Sequence, residues 1–329
     1  MKSKETKSLL LLSIFCLWTT SVFSQSDGST IFRFLDVTPN ASASALGGNH
    51  TGLYNGDFSS MNINPAYLFG AESNQVSATF VNLLADSKMG FTNGTRQINK
   101  NNYAGLGIRF IGYGDFKTID ENGEELGGFS AIDLAVTGAY ATKLANNWSG
   151  GVALDLIHSS YERYKSSAFS VSGGIYYKNI ASHFSFGAAV RNLGTQLSTY
   201  AGTREPMPLD VSVGISKKPE GFPAEIALTF RRLNDWDMRT LDETATPSFF
   251  DNAFRHVILG GTFDFSESFH IRLGYNRYLH ELNKTKENFD FAGVGMGIGF
   301  NVKKLIIDIS RNSYSETGGV VQLSIKTAL

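Results

Sequence analysis

The 329-residue sequence predicts an all-β fold: a 14-stranded antiparallel β-barrel spanning a membrane, preceded by a segment of different character. Three observations carry this. The chain opens like an exported protein, it alternates with period two from Gln75 to its end, and its connections are short at one rim and long at the other.

The opening is set aside first. Lys2, Lys4 and Lys7 precede an apolar core at 9–18, and Val22-Phe23-Ser24 offers a cleavage site before Gln25. Residues 1–24 therefore read as a secretory signal peptide, too short and too soon polar for a spanning helix. The single cysteine, Cys16, lies in that core behind Phe15, where lipoprotein processing wants a small residue. An exported chain cleaved there has no disulfide and no thiolate metal site.

The net charge of −1 and pI near 6.6 give no basic excess for nucleic acid. After the signal, no apolar run reaches the roughly 18 residues of a membrane helix. A barrel needs only every second strand residue to be apolar. Ile132, Leu134 and Val136 alternate with Ala131, Asp133 and Ala135; Val152, Leu154 and Leu156 alternate with Gly151, Ala153 and Asp155. Near 290–300, Val294, Met296 and Ile298 oppose Gly293, Gly295, Gly297 and Gly299. One apolar face against a small, glycine or charged face is the signature of a strand. Fourteen such segments fall near 75–85, 87–96, 101–113, 128–142, 148–161, 167–178, 183–193, 208–217, 224–232, 255–265, 269–280, 289–301, 305–311 and 318–326. An even count suits a bacterial barrel.

Turns at 97–101, 144–147, 179–182, 218–222, 266–268 and 302–304 are short. The opposite rim carries 114–127, 160–166, 193–206, 233–254, 281–288 and 312–317, and only its first connection, near Asp86, is tight. That is the asymmetry of an outer-membrane barrel, with the long loops outside. Trp148 and Tyr140 at the short-turn rim, with Tyr161, Tyr164 and Tyr278 at the other, suit interfacial girdles. Asp133, Asp155, Arg191 and Asp264 are expected in the lumen, as a channel lining or as an ion-pair network that fills the bore.

Residues 25–74 do not alternate. Phe34 and Leu35 lead into a run of small residues, 41–45, then Ala45-Leu46-Gly47-Gly48, and the segment closes on Asn64-Pro65-Ala66. Small residues allow close backbone packing, paired glycines allow φ > 0, and Pro65 biases Asn64 to an extended conformation. This segment is expected to fold against or inside the wall formed by residues 75–329.

These elements in order, with Asp57 between them, resemble the N-terminal signature of the PorV/PorQ family, and the Ala-Leu-Gly-Gly form is closer to PorQ. That family belongs to the FadL-like outer-membrane proteins of the Bacteroidetes type IX secretion system. The resemblance implies a hatch entering a FadL-like barrel, an integral outer-membrane location, and a non-enzymatic part in secretion and cell-surface attachment of cargo proteins. It implies surface partners: a PorZ-like protein held beside PorU- and PorV-like machinery. It also allows an alternative, FadL-like outer-membrane transport of a hydrophobic small molecule. The chain ends Lys326-Thr-Ala-Leu329, without the terminal Phe of many barrels.

Enzymatic motifs are missing: no Gly-x-Ser-x-Gly, no His-Glu-x-x-His and no phosphate-cradling loop. His50, His158, His183, His256, His270 and His280 are scattered, and no cofactor or metal is expected. A Ser/His/Asp site assembled across strands is not a local pattern, so an enzyme acting on outer-leaflet lipid stays open as a third reading. For partner binding the candidates are Arg231, Arg232, Trp236 and Met238, ahead of the acidic pair Asp242-Glu243, because Trp and Arg dominate binding hot spots. The plainer reading of the same stretch is a charged outer loop with one anchoring aromatic.

Overall fold

The computed structural model describes residues 30–71, 74–83, 87–119, 125–240, 243–284, 290–313 and 318–329. The expected signal peptide, the turn at Asp86 and Asp242 lie outside the described residues. Fourteen strands close into one barrel: β1 Gln75–Asn82, β2 Lys88–Asn99, β3 Asn102–Ile119, β4 Glu125–Ala145, β5 Trp148–Tyr161, β6 Tyr164–Asn179, β7 Phe184–Ser198, β8 Asp210–Lys217, β9 Ala224–Phe230, β10 Val257–Ser266, β11 Phe269–Asn276, β12 Val294–Val302, β13 Leu305–Ser313 and β14 Gly319–Ala328. Each pairs antiparallel with its sequence neighbours, and β14 closes on β1 from Ala328↔Gln75 to Val321↔Asn82.

The period-two pattern sorts side chains as expected. Leu106, Ile108 and Phe110 of β3, and Leu154 and Leu156 of β5, face outward, whereas Arg109 and Asp155 on the alternate positions are buried in the lumen. A charge on the lipid face would cost about 2–4 kcal/mol near the midplane. The short-turn rim carries Trp148, 5.0 Å from Tyr177, and so holds an aromatic girdle. Tyr278 does not belong to a girdle: it is buried at the outer end of the bore, under the Arg232 guanidinium.

Three connections differ from the expectation. The loop at 114–127 is mostly an extension of the β3–β4 hairpin, pinned by Phe116 stacked on Phe129 at 5.0 Å after a register shift at Gly112/Asp115. The loop at 160–166 shrinks to a turn between Tyr161 and Tyr164. The strand expected to reach residue 280 stops at Asn276, whose side chain accepts a hydrogen bond from Leu279 N (3.1 Å) and caps the helix Arg277–Asn283. His270 and His280 are thus on different elements.

Residues 30–71 fill the bore. Their order is a 3-10 turn Arg33–Asp36, a helix Ala41–Ala45, and 3-10 turns Phe58–Asn62 and Pro65–Gly70. Each of the last three has a side-chain cap. Asn40 Oδ1 accepts from Ala43 N (2.8 Å), Asp57 Oδ1 from Ser59 N (2.9 Å) and Asn64 Oδ1 from Ala66 N (3.1 Å). Such caps satisfy orphan amides at helix starts, and Pro65 sits at the first helical position where its missing N–H costs nothing. Asn40 Nδ2 also donates to Ser59 Oγ and Ser60 Oγ, both at 2.9 Å, tying the helix to the turn below it.

The plug rests on lumen-facing glycines of the wall. A Cβ on Gly274 of β11 would strike the Leu46 carbonyl carbon; on Gly295 and Gly297 of β12 it would come within 2.6 Å of Ser44 O and 2.7 Å of Ala45 Cβ. Across the bore, a Cβ on Gly151 would strike the Pro65 carbonyl, on Gly174 the Asn64 amide, and on Gly187 the Thr51 carbonyl. At Gly274, Gly295, Gly151 and Gly187 backbone meets backbone, and any larger residue there must displace one of them. Gly138 of β4 is the control, because a Cβ there meets no atom within 4 Å. Gly274→Val is expected to destabilise the plugged state by about 1–3 kcal/mol and Gly138→Val not to. The readouts are the temperature at which the folded band is lost on detergent gels and single-channel conductance in planar bilayers. Only Gly274→Val should lower the first and raise the second.

Candidate functional site

The signature residues all turn inward. Phe34 and Leu35 pack with Met89, Phe91, Ile111, Ile157 and Met207 in the outer half of the bore. Ala45 and Leu46 lie over β10–β12; Gly47 (φ 87°) and Gly48 (φ 140°) make the turn that follows, and Asn276 Nδ2 donates to Gly47 O (3.1 Å). Asn64 Nδ2 donates to Ile175 O of β6 (3.0 Å), so Asn64-Pro65-Ala66 is both a cap and a weld to the wall. His50 donates from Nε2 to Leu46 O (2.9 Å) and accepts at Nδ1 from Thr229 Oγ1 (3.2 Å). Burial pushes its imidazole down to about 4, and it stays neutral there.

The lumen charges are paired rather than arrayed along a passage. Arg109 meets Asp155 at 2.8 Å, Arg191 meets Asp210 at 2.5 Å, and Arg272 meets Asp308 at 2.5 Å. Asp133 accepts from Tyr113 and Ser159, while Asp264 holds Lys218 (2.7 Å) and His270 (2.8 Å) near the short-turn rim.

Of the four partner-binding candidates, only Trp236 is at the surface. Arg231 Nη2 reaches Asp210 at 3.6 Å and Arg232 Nη2 reaches Asp36 of the plug at 3.3 Å, both within the outer end of the bore. Met238 is 2% exposed, and its carbonyl accepts from Arg255 (3.1 Å). Desolvated acids draw these arginines inward, so their charge is spent on the lumen, not on a partner.

What the outer rim does present is aromatic. The helix Phe249–Arg255, which starts where Ser248 Oγ accepts from Asp251 N (3.2 Å), carries Phe249, Phe250 and Phe254 at 66%, 73% and 61% exposure. Trp236, 49% exposed, stacks on His256 at 5.0 Å and packs on Phe249 at 5.5 Å. Underneath, Arg255 bonds Glu243 through two nitrogens (2.5 and 2.8 Å) and Asp251 through two (2.8 and 3.2 Å). Arg277 bridges Asp251 (3.3 Å) to Glu281 (2.6 Å), so the two outer helices are bolted together. The sequence signals were present: Ser248-x-x-Asp251 is a helix start, and Asp251–Arg255 and Arg277–Glu281 are i,i+4 pairs.

Two cavities of about 370 Å³ each lie on either side of the plug helix. The outer one is walled by Arg231, Arg232, Asp36, Tyr278 and Gln322; the inner one by Asp264, Arg272, Asp308 and Lys326. Between them, Ala41 N donates to Ser324 Oγ (2.8 Å) and Leu46–Gly47 lie on Gly274. Among the described residues no group of three His, Cys, Asp or Glu is placed to hold a metal.

No family model and no curated protein matches the chain. Solved structures do. The Pseudomonas putida toluene transporter TodX aligns over 93% of this chain and 98% of its own, at 13% identity and TM-score 0.55. The CymD monoaromatic hydrocarbon channel covers 89% and 98% at 12% identity and TM-score 0.58. A Pseudomonas aeruginosa FadL homologue covers 88% and 98% at 10% identity and TM-score 0.54. The chain has the FadL-like fold of outer-membrane barrels, the fold these proteins share.

Glu243 titrates below its ordinary value of 4.5 because Arg255 hydrogen-bonds its carboxylate. The pair therefore stabilises the outer platform above that value, and the contribution is lost as the pH falls through the lowered one. Arg255→Met is expected to loosen the platform by about 2 kcal/mol at pH 7, seen as faster proteolytic nicking within residues 231–256. Below the carboxylate range the wild type should be nicked nearly as fast, and the heat-resistant barrel band should be unchanged in both.

Proposed function

We propose that this chain is a sealed outer-membrane scaffold that holds a partner at the cell surface. One observation carries the reading: the outer rim exposes a rigid aromatic platform of Trp236, Phe249, Phe250 and Phe254. Its base is clamped by Arg255. Exposed, preorganised aromatics are the residue types that dominate protein interfaces, and a fixed base lowers the entropy lost on docking. A plugged bore with paired lumen charges suits an anchor. The partner suggested by the likeness of residues 34–66 to the PorV/PorQ signature is a PorZ-like protein of the type IX attachment complex, beside PorU- and PorV-like components. In that setting the chain serves secretion and surface attachment of cargo, and the barrel itself catalyses nothing.

A second reading has support of its own. The neighbouring structures include a toluene transporter and a monoaromatic hydrocarbon channel. The two cavities here are separated by little more than one helical turn. Movement of a hydrophobic small molecule through the barrel would use that turn as its gate. Against it stands the polarity of the bore, where Arg109, Asp155, Arg191, Asp210, Arg272 and Asp308 are all buried.

The variant Phe249→Ser/Phe250→Ser/Phe254→Ser separates the two. In outer membrane solubilised with mild detergent, the scaffold reading expects the surface partner to co-purify with the wild-type chain. It should be lost from the variant while the barrel still shows heat-modifiable migration. Unchanged partner retention, combined with loss of toluene uptake on deleting the protein, would replace the scaffold reading by the transport one.

A further inference from the structure

Alternation turns every second residue of the wall toward lipid, and on one side of the barrel that face carries a single charge. Among the described residues, the outward positions of β9 to β14 and of β1 are uncharged except for Arg311. Its register partners, Met296 on β12 and Val321 on β14, are exposed and apolar, whereas its chain neighbours Ser310 and Asn312 are buried in the lumen. Arg311 is exposed and has no acidic partner among the described residues. It lies two residues from Ser313, the outer end of β13, where Gly319 of β14 stands opposite. A Cβ on Gly319 would lie 2.9 Å from Arg311 Nε, so the side chain leans toward the outer rim across a position that glycine leaves open. A charge on the lipid face is costly at the midplane and nearly free at the interface. A long cationic side chain reaches the interface by lying along the wall.

Beside Arg311 the lipid face is concave. A groove of about 390 Å³, almost wholly apolar, is walled by Ile271, Leu273, Met296, Ile298, Ile309 and Val321, with Arg311 in the same wall. Arg311 stands at its outer end, because Ile309 on the same strand lies nearer the short-turn rim. A second cation occupies the same hydrogen-bonded row: Arg311 pairs with Val321, Val321 with Asn82, and Asn82 with Lys88 of β2. Lys88 is exposed and also has no acidic partner among the described residues. At ~4.8 Å per strand the two cations stand roughly 14 Å apart along the wall. A free anion held by Arg311 and Lys88 would leave the groove unused, and a bare hydrocarbon would leave the cations unused. A molecule whose apolar chain continues into an anionic head uses both. Guanidinium and ammonium groups both bind phosphate, and basic side chains at a membrane surface are drawn to anionic headgroups.

We propose that this face of the barrel binds a phosphate-bearing lipid of the outer leaflet. An acyl chain lies in the groove, a phosphate meets Arg311, and the rest of the polar head extends over Val321 and Asn82 toward Lys88. The site rests on the barrel's place in the outer membrane with its long loops outside. It is independent of the aromatic platform and of any partner on it.

Native mass spectrometry of the full chain, released from mild-detergent micelles, tests the assignment with two probes. They are bisphosphorylated lipid A and the same lipid with its phosphates removed. The phosphorylated form is expected to give a saturable adduct, at least about tenfold tighter than the other, a factor of ten being one lost interaction of ordinary size. Arg311→Gln should weaken that adduct roughly fivefold, the usual loss for one basic residue at a membrane surface, and Arg311→Lys should keep most of it. Ile298→Trp, which fills the groove, should weaken it as well, whereas Ile226→Trp on the lipid face of β9, outside the groove, should not. All four variants leave the lumen untouched and should keep heat-modifiable migration. The proposal is overturned by the lack of a saturable adduct, by equal binding of the dephosphorylated lipid, or by binding unchanged in both Arg311→Gln and Ile298→Trp. A dimer of the chain that forms without lipid and is lost in Ile298→Trp would overturn it too, by assigning the groove to a second copy.

Discussion

The structure depends on a contact between two backbones. Around the inside of the barrel, glycines on β5, β7, β11 and β12 bring the wall close enough to touch the plug's own main chain, and Gly174 of β6 meets the side-chain amide of Asn64. Close packing of this kind tolerates little change in volume and gives the plug one depth and one orientation. Two welds result. Leu46–Gly47 lies on Gly274 and Gly295 on one side, and Asn64-Pro65 lies on Gly151 and Gly174 on the other. Hydrogen bonds from Asn276 and Asn64 then join each weld to a strand. The signature motifs at Gly47-Gly48 and Asn64-Pro65-Ala66 are therefore structural, and the chemistry directed outward is found elsewhere.

Fixing the plug fixes the electrostatics. With the bore filled, each lumen charge is desolvated and is stable only with a partner, which is why Arg109, Arg191 and Arg272 each close on an aspartate from another strand. Asp36, carried into the outer bore by the plug, extends this rule upward by drawing in Arg232. The outer surface above is left with the aromatic side chains of Trp236, Phe249, Phe250 and Phe254. The platform is a consequence of that inward turn of charge.

The wall was legible in the sequence because period two is a local property. β5 runs over Trp148–Tyr161, the expected 148–161, and the glycine face of β12 was visible as alternation. What alternation does not encode is height along the barrel axis. It placed Asp155 and Arg191 in the lumen without showing that they pair with Arg109 and Asp210. It also showed that the β12 glycines share a face without showing that the face carries the plug. The outer helices are a different omission. At 277–280 the apolar spacing fits either a strand or a helix, and the capping side chain of Asn276 with the Arg277–Glu281 pair decides for the helix. Arg231 and Arg232 looked like surface residues because the loop was read alone, and their acids lie far away in sequence, at Asp36 and Asp210.

Amide hydrogen exchange on the full chain in detergent micelles tests the central contact most directly. If the plug is welded to the wall, the amides of Ser44, Leu46, Gly47, Gly48 and Tyr67, all hydrogen-bonded within it, are protected as strongly as those of β11 and β12. They should exchange only when the barrel itself opens. Exchange of these amides orders of magnitude faster than the strand amides, in a barrel that stays folded, would contradict the account: the plug would then be a loose insert, and the glycine face would need another explanation.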